Sequence, residues 1–156
     1  MVMFLKEKKK DTNDLRAIKV IDIAKIQQNL LYQYDIFDME NQLQLCVDGF
    51  VKEFEIMKIC GNKNNNSVKC YEYFHTKKEF VIVMELCDMN LSEYLMDKIK
   101  KDKNCFKAEE ILEIISPLNK SFEIMKKNNI IHRDLKLENI LIKFNDKQNK
   151  DFTIKL

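Results

Sequence analysis

One run of this sequence is apolar at every position and must therefore be covered on both faces. Residues 80–84 are Phe-Val-Ile-Val-Met, and a strand without a polar face is typical of the centre of a sheet. The run from Val68 to Phe74 is also strand-like, and the polar stretch from His75 to Glu79 separates the two, which predicts a β-hairpin. A chain of 156 residues, 46% of them hydrophobic, is long enough to bury this sheet in a core.

The rest of the first half predicts two more strands and one helix. Val2 to Leu5 and Leu15 to Val20 fit antiparallel strands joined by a charged turn. Apolar residues at helical spacing predict a helix from Val47 to Cys60, which Gly61 is expected to end. The stretch 22–44 shows no sustained period, and we interpret it as an insertion that is helical in part at most.

The second half predicts helices followed by a hairpin. Asn90 or Ser92 can cap a helix that runs to about Lys100, and a longer helix is expected from Ala108 to Lys127. One face of this longer helix carries an apolar stripe of five residues: Ile111, Ile115, Leu118, Phe122 and Met125. Pro117 lies within it and is expected to kink the helix or to begin a new one.

Two short strands complete the predicted architecture. They run from Ile140 to Ile142 and from Phe152 to Leu156, around a polar turn at 145–150. The chain thus begins with strands and one helix, continues with helices and closes with a hairpin. This order predicts an α+β fold.

Charge, cysteines and the N-terminus exclude several classes of function. The 27 basic and 25 acidic residues leave a net charge of +2, which does not favour nucleic acid or an anionic membrane as a partner. The cysteines are residues 46, 60, 70, 87 and 105, without a C-x-x-C pair, and the two histidines do not complete a metal site with them. We expect free thiols in a reducing compartment, and without a signal sequence or membrane-spanning run the expected location is the cytoplasm or nucleus.

The strongest local signal is segment 132–139, His-Arg-Asp-Leu-Lys-Leu-Glu-Asn, between a predicted helix and a predicted strand. It satisfies every fixed position of the pattern H-R-D-L-x-x-x-N. On these residues the chain resembles the eukaryotic protein kinases. The resemblance implies that Asp134 accepts the proton of a substrate hydroxyl and that Asn139 helps to hold Mg²⁺. Lys136 resembles the lysine that contacts the transferred phosphate in serine/threonine-directed members.

A second match to the kinases lies at Ala17-Ile18-Lys19, which resembles the element V-A-I-K. In that family the lysine pairs the α- and β-phosphates of ATP and a helix glutamate. With Phe50 at zero on a helical wheel, Glu53 falls at about −60°, inside the apolar arc, and Glu55 at about +140°, facing solvent. Glu53 is therefore the expected partner of Lys19, although a solvated strand lysine and a boundary glutamate would also fit the pattern.

The resemblance also implies an adenine site around the hinge. Met84 would be the gatekeeper, and the backbone of Glu85 and Cys87 would bind adenine. The apolar contacts would come from Val2 and Ala17 above the base and from Leu141 below it. These apolar residues are equally compatible with an ordinary core. Arg133 resembles the arginine that binds a phosphorylated activation loop.

The resemblance stops at both ends of the sequence. The glycine-rich loop would lie before residue 1, and the chain ends before the D-F-G element. We therefore expect a truncated protein-kinase-like fold, with a partial N-lobe at 1–86 and the start of the C-lobe at 87–156. The expected function is transfer of the ATP γ-phosphate to Ser/Thr hydroxyls of proteins, in a chain that by itself is not an efficient enzyme. A non-catalytic, kinase-like interaction module is the alternative.

Overall fold

The computed structural model describes residues 2–8, 15–102, 107–146 and 151–156, without the side chains of residues 2–8, 37 and 102. The chain forms two units. The first comprises Met1–Lys58 and Lys69–Leu86, and the second comprises Ile59–Val68 and Cys87–Leu156.

A four-stranded antiparallel sheet forms the first unit. Its strands are β1 (Val2–Lys8), β2 (Leu15–Asp22), β3 (Cys70–His75) and β4 (Glu79–Glu85), in the order β1-β2-β4-β3. The predicted hairpin is confirmed, because β3 and β4 pair around a turn in which the amide of Thr76 donates to the carbonyl of Glu79 at 2.8 Å. The side chains of Phe80 and Ile82 are completely buried, as the apolar run predicted. The charged turn expected between β1 and β2 lies mainly outside the described residues.

The connection from β2 to β3 is helical over most of its length. It contains α1 (Ile23–Leu31) and α2 (Ile36–Lys63), so the stretch 22–44 is more helical than the sequence predicted. Both helices begin at an aspartate, with Asp22 accepting from the amide of Lys25 at 2.8 Å and Asp35 from that of Asp38 at 2.9 Å. These N-caps were the missed signal, because a cap marks a helix start even where hydrophobic periodicity is weak.

Helix α2 also ends later than Gly61, the expected stop. The helix continues to Lys63, and no glycine of the described residues has a positive φ. The end is made by Asn64, whose side-chain amide donates to the carbonyl of Cys60 at 3.5 Å and to the hydroxyl of Ser67 at 3.3 Å. A side chain thus satisfies a terminal helix carbonyl, a role that a C-terminal glycine often makes possible through the backbone.

The second unit contains a three-stranded sheet and two helices. The strands are β5 (Met89–Asn90), β6 (Leu141–Phe144) and β7 (Phe152–Lys155), in that order. The helices are α3 (Leu91–Asp102) and α4 (Ala108–Lys127), and a short 3₁₀ helix spans Leu137–Asn139. Of the two predicted caps for α3 it is Asn90 that acts. Its side-chain oxygen accepts from the backbone amide of Glu93, and its own backbone amide donates to the carboxylate of Glu93, both at 2.9 Å.

Helix α4 has the predicted bounds but a different buried face. Its buried residues are Ile114, Leu118, Ser121 and Met125, whereas two members of the predicted stripe, Ile111 and Ile115, are 43% and 47% exposed. Ser121 can lie on the buried face because its hydroxyl forms a hydrogen bond there, donating to the carbonyl of Asn66 at 2.8 Å. The helix is continuous through Pro117, so no new helix begins there.

The predicted α+β fold class is confirmed, with a β-rich first part followed by helices and a hairpin. The first unit contains two helices where the sequence predicted one. Among the helices the structure describes, none has the length and apolar character to cross a bilayer.

Candidate active site

Lys19 and Glu53, the residues paired on the helical wheel, form an ion pair in the first unit. Lys19 lies on β2, opposite Ile82 of β4, and Glu53 lies on α2. The Nζ atom of Lys19 is 2.5 Å from Oε1 of Glu53. The sheet register thus fixes the lysine and the helix turn fixes the carboxylate, and the expected contact is present.

The exposure of Glu55 agrees with the helical wheel, but Glu53 is less buried than its place in the apolar arc predicted. Glu55 is exposed to solvent. The side chain of Glu53 is 41% exposed and that of Lys19 is 18% exposed. The carboxylate is therefore only half-buried, and it did not need a cation merely to avoid isolation in the core.

Cys70 on β3 lies within electrostatic reach of this ion pair, a feature that the sequence did not reveal. The side chain is 4% exposed. Burial, reinforced by the negative charge of Glu53, raises the pKa of the Cys70 thiol to about 12, against a smaller opposing effect of Lys19. The thiol of Cys70 is therefore protonated and uncharged at neutral pH, beside the two charged groups.

The residues expected to bind adenine are divided between the units. Ala17 and Met84 are direct partners across β2 and β4, and Met84 is 6% exposed. The amide of Glu85 donates to the carbonyl of Lys69 at 2.8 Å. Cys87 and Leu141 belong to the second unit, where Leu141 pairs with Asn90 of β5. The side chain of Val2 lies outside the described residues.

In the second unit, the predicted catalytic residues converge on one carboxylate. Nζ of Lys136 is 2.8 Å from Oδ2 of Asp134. The side-chain amide of Asn139 donates to the same Oδ2 at 2.9 Å and to the carbonyl oxygen of Asp134 at 2.8 Å. Two residues from the 136–139 segment thus orient the side chain of Asp134, which is 64% exposed.

These contacts shift the acid–base properties of the cluster. The hydrogen bonds from Lys136 and then from Asn139 hold the pKa of Asp134 below its usual value. In return, the hydrogen bond and charge of Asp134 raise the pKa of Lys136. Both groups are therefore charged at neutral pH, and the carboxylate is available as an acceptor.

The loop holds Asp134 through an unusual backbone conformation. Arg133 has φ at 65°, a region that non-glycine residues enter at a cost of about 1–3 kcal/mol. The amide of Asp134 donates to Nδ1 of His132 at 3.3 Å, and the 3₁₀ helix then carries Asn139 back toward Asp134. His132 is thus a positioning group, which the motif marked without revealing its role.

The fit of a Mg²⁺ ion can be judged from Asn139. Both of its hydrogen bonds to Asp134 use the amide nitrogen. Its amide oxygen, a ligand type that Mg²⁺ accepts, forms no hydrogen bond within the described part of the chain and is available to a metal. No group of three or more His, Cys, Asp or Glu side chains forms a metal cluster within the described part of the chain. Asn139 therefore fits a site completed largely by phosphate oxygens and water.

Comparison with known proteins gives a consistent result. The sequence model of the protein kinase domain family matches residues 3–156. Calcium-dependent protein kinase 5 of Plasmodium falciparum is 31% identical over 132 residues, which are 85% of this chain and 19% of that protein.

Two further relatives show the same similarity over a shorter stretch. Serine/threonine-protein kinase TIO of Arabidopsis thaliana is 33% identical over 91 residues, 58% of this chain and 6% of that protein. Serine/threonine-protein kinase 33 of Bos taurus is 32% identical over 92 residues, 59% of this chain and 18% of that protein. The chain thus matches less than a fifth of the length of each of these relatives.

Proposed function

This chain belongs to the protein kinase domain family, and from that premise we propose that the full-length gene product transfers the γ-phosphate of ATP to serine or threonine hydroxyls of proteins. The observation that carries the proposal is the convergence of Lys136 and Asn139 on Oδ2 of Asp134. That arrangement leaves a charged, solvent-accessible carboxylate in a fixed orientation, as an acceptor for a hydroxyl proton must be.

The role proposed for Asp134 is to accept the proton of the substrate hydroxyl and to orient its oxygen toward the phosphate. Its lowered pKa keeps it ionised at neutral pH. The lowered pKa also makes Asp134 a weak base. Its proposed contribution to the rate is therefore to orient the hydroxyl and to accept its proton while the bond between the hydroxyl oxygen and the γ-phosphorus forms.

Lys136 is the residue on which the proposed preference for serine or threonine over tyrosine rests. Its ammonium group already contacts the acceptor carboxylate at 2.8 Å. A cation at this point can stabilise the negative charge on the phosphate group during its transfer. The proposed substrates are accordingly proteins with an accessible serine or threonine.

The ion pair of Lys19 and Glu53 is proposed to position the nucleotide. Glu53 fixes the lysine ammonium at 2.5 Å, and an ammonium held in this way is suited to the α- and β-phosphates of ATP. Asn139 would contribute a ligand to Mg²⁺, which when bound neutralises phosphate charge. The backbone of Glu85 and Cys87, with Met84, Val2, Ala17 and Leu141, is proposed for the adenine.

The substitution Asp134→Asn in the full-length gene product tests the proposal. It keeps the size of the side chain but removes the negative charge, and loss of a positioned base costs on the order of 10²–10⁴ in rate. The assay is transfer of labelled phosphate to a general protein substrate, followed by identification of the phosphorylated amino acid.

The control is Asp97→Asn, the same chemical change at an exposed position of α3. Wild-type rates for Asp134→Asn would contradict the role of Asp134. Phosphotyrosine as the main product would contradict the proposed specificity.

A further inference from the structure

Strand β3 is an edge strand whose regular part, from Glu72 to His75, is open to pairing within the described residues. Within the described residues it has one neighbour in the sheet, β4. Tyr71, Tyr73 and Phe74 are 41%, 37% and 52% exposed, and Glu72 is the only residue of Cys70–His75 with a formal charge. Natural edge strands usually carry lysine or proline, or are covered, because an open row of backbone groups recruits another strand.

The direction of the backbone groups on this edge follows from two backbone hydrogen bonds. The amide of Thr76 donates to the carbonyl of Glu79, and the amide of Ile23 donates to the carbonyl of Lys78, both at 2.8 Å. In an antiparallel ladder bonded and non-bonded pairs alternate. Phe74 and Val81 are therefore a bonded pair, whereas Tyr73 and His75 direct their amides and carbonyls away from β4.

Only part of this edge is regular. A bulge interrupts the register between Cys70 and Glu72, and from Glu72 to His75 each residue faces its successive partner on β4. Bulges disrupt pairing locally and so protect the first half of the strand. The open segment is therefore short, and a partner strand must bond to Tyr73 and His75.

Only one register of a second copy bonds Tyr73 and His75 with both partners inside the regular segment from Glu72 to His75. Residues that lie opposite each other in antiparallel strands have their side chains on the same face of the sheet. A two-fold axis perpendicular to the sheet also keeps equivalent side chains on one face. The axis must therefore pass midway between the two copies of one residue, which pairs with itself. With Phe74 on the axis, Tyr73 and His75 of the two copies form the bonded pairs. With Glu72 or Tyr73 on the axis, a bonded pair falls at Tyr71 in the bulge, and Glu72 would also face its own copy in the first case.

The side chains agree with this register. Glu72 would lie opposite Thr76 of the second copy and Tyr71 opposite Lys77, so no like charges meet. Phe74 would lie opposite itself on the face of the sheet that carries Val81. Aromatic pairs of this kind stabilise antiparallel strands.

We propose that β3 is a self-association surface, where two copies of the chain join their sheets through antiparallel β3 strands about an axis at Phe74. This inference does not depend on kinase activity. The paired segment is short, so the dimer is weak, with an expected dissociation constant of about 1–50 μM.

The first test compares two exposed apolar residues changed to lysine in the full-length gene product. Phe74→Lys places two cations opposite each other at the axis and is expected to weaken dimerisation about tenfold or more in sedimentation velocity over a concentration series. Leu15→Lys makes the same change at a residue 49% exposed on β2 and is expected to leave dimerisation intact. A monomeric wild type at about 100 μM, or equal effects of both variants, would overturn the proposal.

The second test reads the register directly by mild oxidation. Opposite residues of a non-bonded pair have Cα atoms about 4.5 Å apart, which a disulfide can bridge. Phe74→Cys should therefore give a cross-linked dimer, whereas Tyr73→Cys should not, because its own copy lies diagonally across the strands. Wild type with its five cysteines gives the background. Equal cross-linking of both variants, or of neither, would contradict the register with Phe74 on the axis.

Discussion

Neutralising the ion pair of Lys19 and Glu53 should affect activity far more than stability. The three variants are Lys19→Met, Glu53→Gln and the double variant, made in the full-length gene product. The side chains are 18% and 41% exposed, so water screens part of the attraction. An exposed pair contributes about 0.2–1 kcal/mol, and we expect a coupling free energy of unfolding of about 1 kcal/mol at most. A loss of about 1 kcal/mol in the free energy of unfolding lowers the melting temperature by about 2–4 °C.

The rate of phosphate transfer should behave differently. Removing one preorganised electrostatic group from an active site costs on the order of 10² in rate. If the carboxylate acts by holding the ammonium, the double variant should lose little more than either single variant. The coupling free energy in the rate would then be about 2.7 kcal/mol, since each factor of ten equals about 1.36 kcal/mol.

The two measurements are thermal unfolding and initial rates at saturating protein substrate over a range of ATP concentrations. Glu55→Gln is the matched control, because Glu55 is exposed and lies on the same helix. Three results would refute the reasoning. They are multiplicative losses in the double variant, a comparable loss in Glu55→Gln, and a fall in stability large enough to unfold the variants under assay conditions.

Three further predictions concern other parts of the chain. Lys136→Ala removes the main cause of the lowered pKa of Asp134, so a carboxyl NMR titration should show that pKa rising toward the ordinary value of about 3.9; an unchanged titration would contradict the assignment. Cys70, with a thiol pKa of about 12, should resist alkylation at pH 8 in the folded protein, while the partly exposed Cys46 reacts; mass spectrometry of digests would expose the reverse order. Asn90→Ala removes the cap of α3 and should lower the free energy of unfolding by about 1 kcal/mol, a loss that denaturant titration would show.

The contacts within the candidate site were largely predictable from local sequence. Segment 132–139 placed Asp134, Lys136 and Asn139 within a few residues of one another, and a loop so short must bring their side chains close. The contact of Lys19 with Glu53 was predictable for a related reason. Helical geometry defines which side of α2 faces the sheet, and only one of the two nearby glutamates lies on that side.

The local conformations that hold these groups were less accessible. The positive φ of Arg133 occurs without a glycine to mark it. Polar residues also misled the pattern, because Ser121 is completely buried on the core face of α4. Its hydroxyl bonds to the backbone at Asn66, 55 positions away in sequence, and no local rule anticipates a partner so distant.

The sequence by itself determined the α+β class of fold and most of the order of strands and helices, and it indicated the candidate site residues, because periodicity and short motifs act over a few residues. Only the tertiary structure decided that β4 lies between β2 and β3 and that β3 is left at the edge of the sheet. It also decided that Cys70 lies beside the ion pair. Strand order and side-chain environment depend on pairings between distant segments, whose energies come from packing and hydrogen bonding in the assembled core.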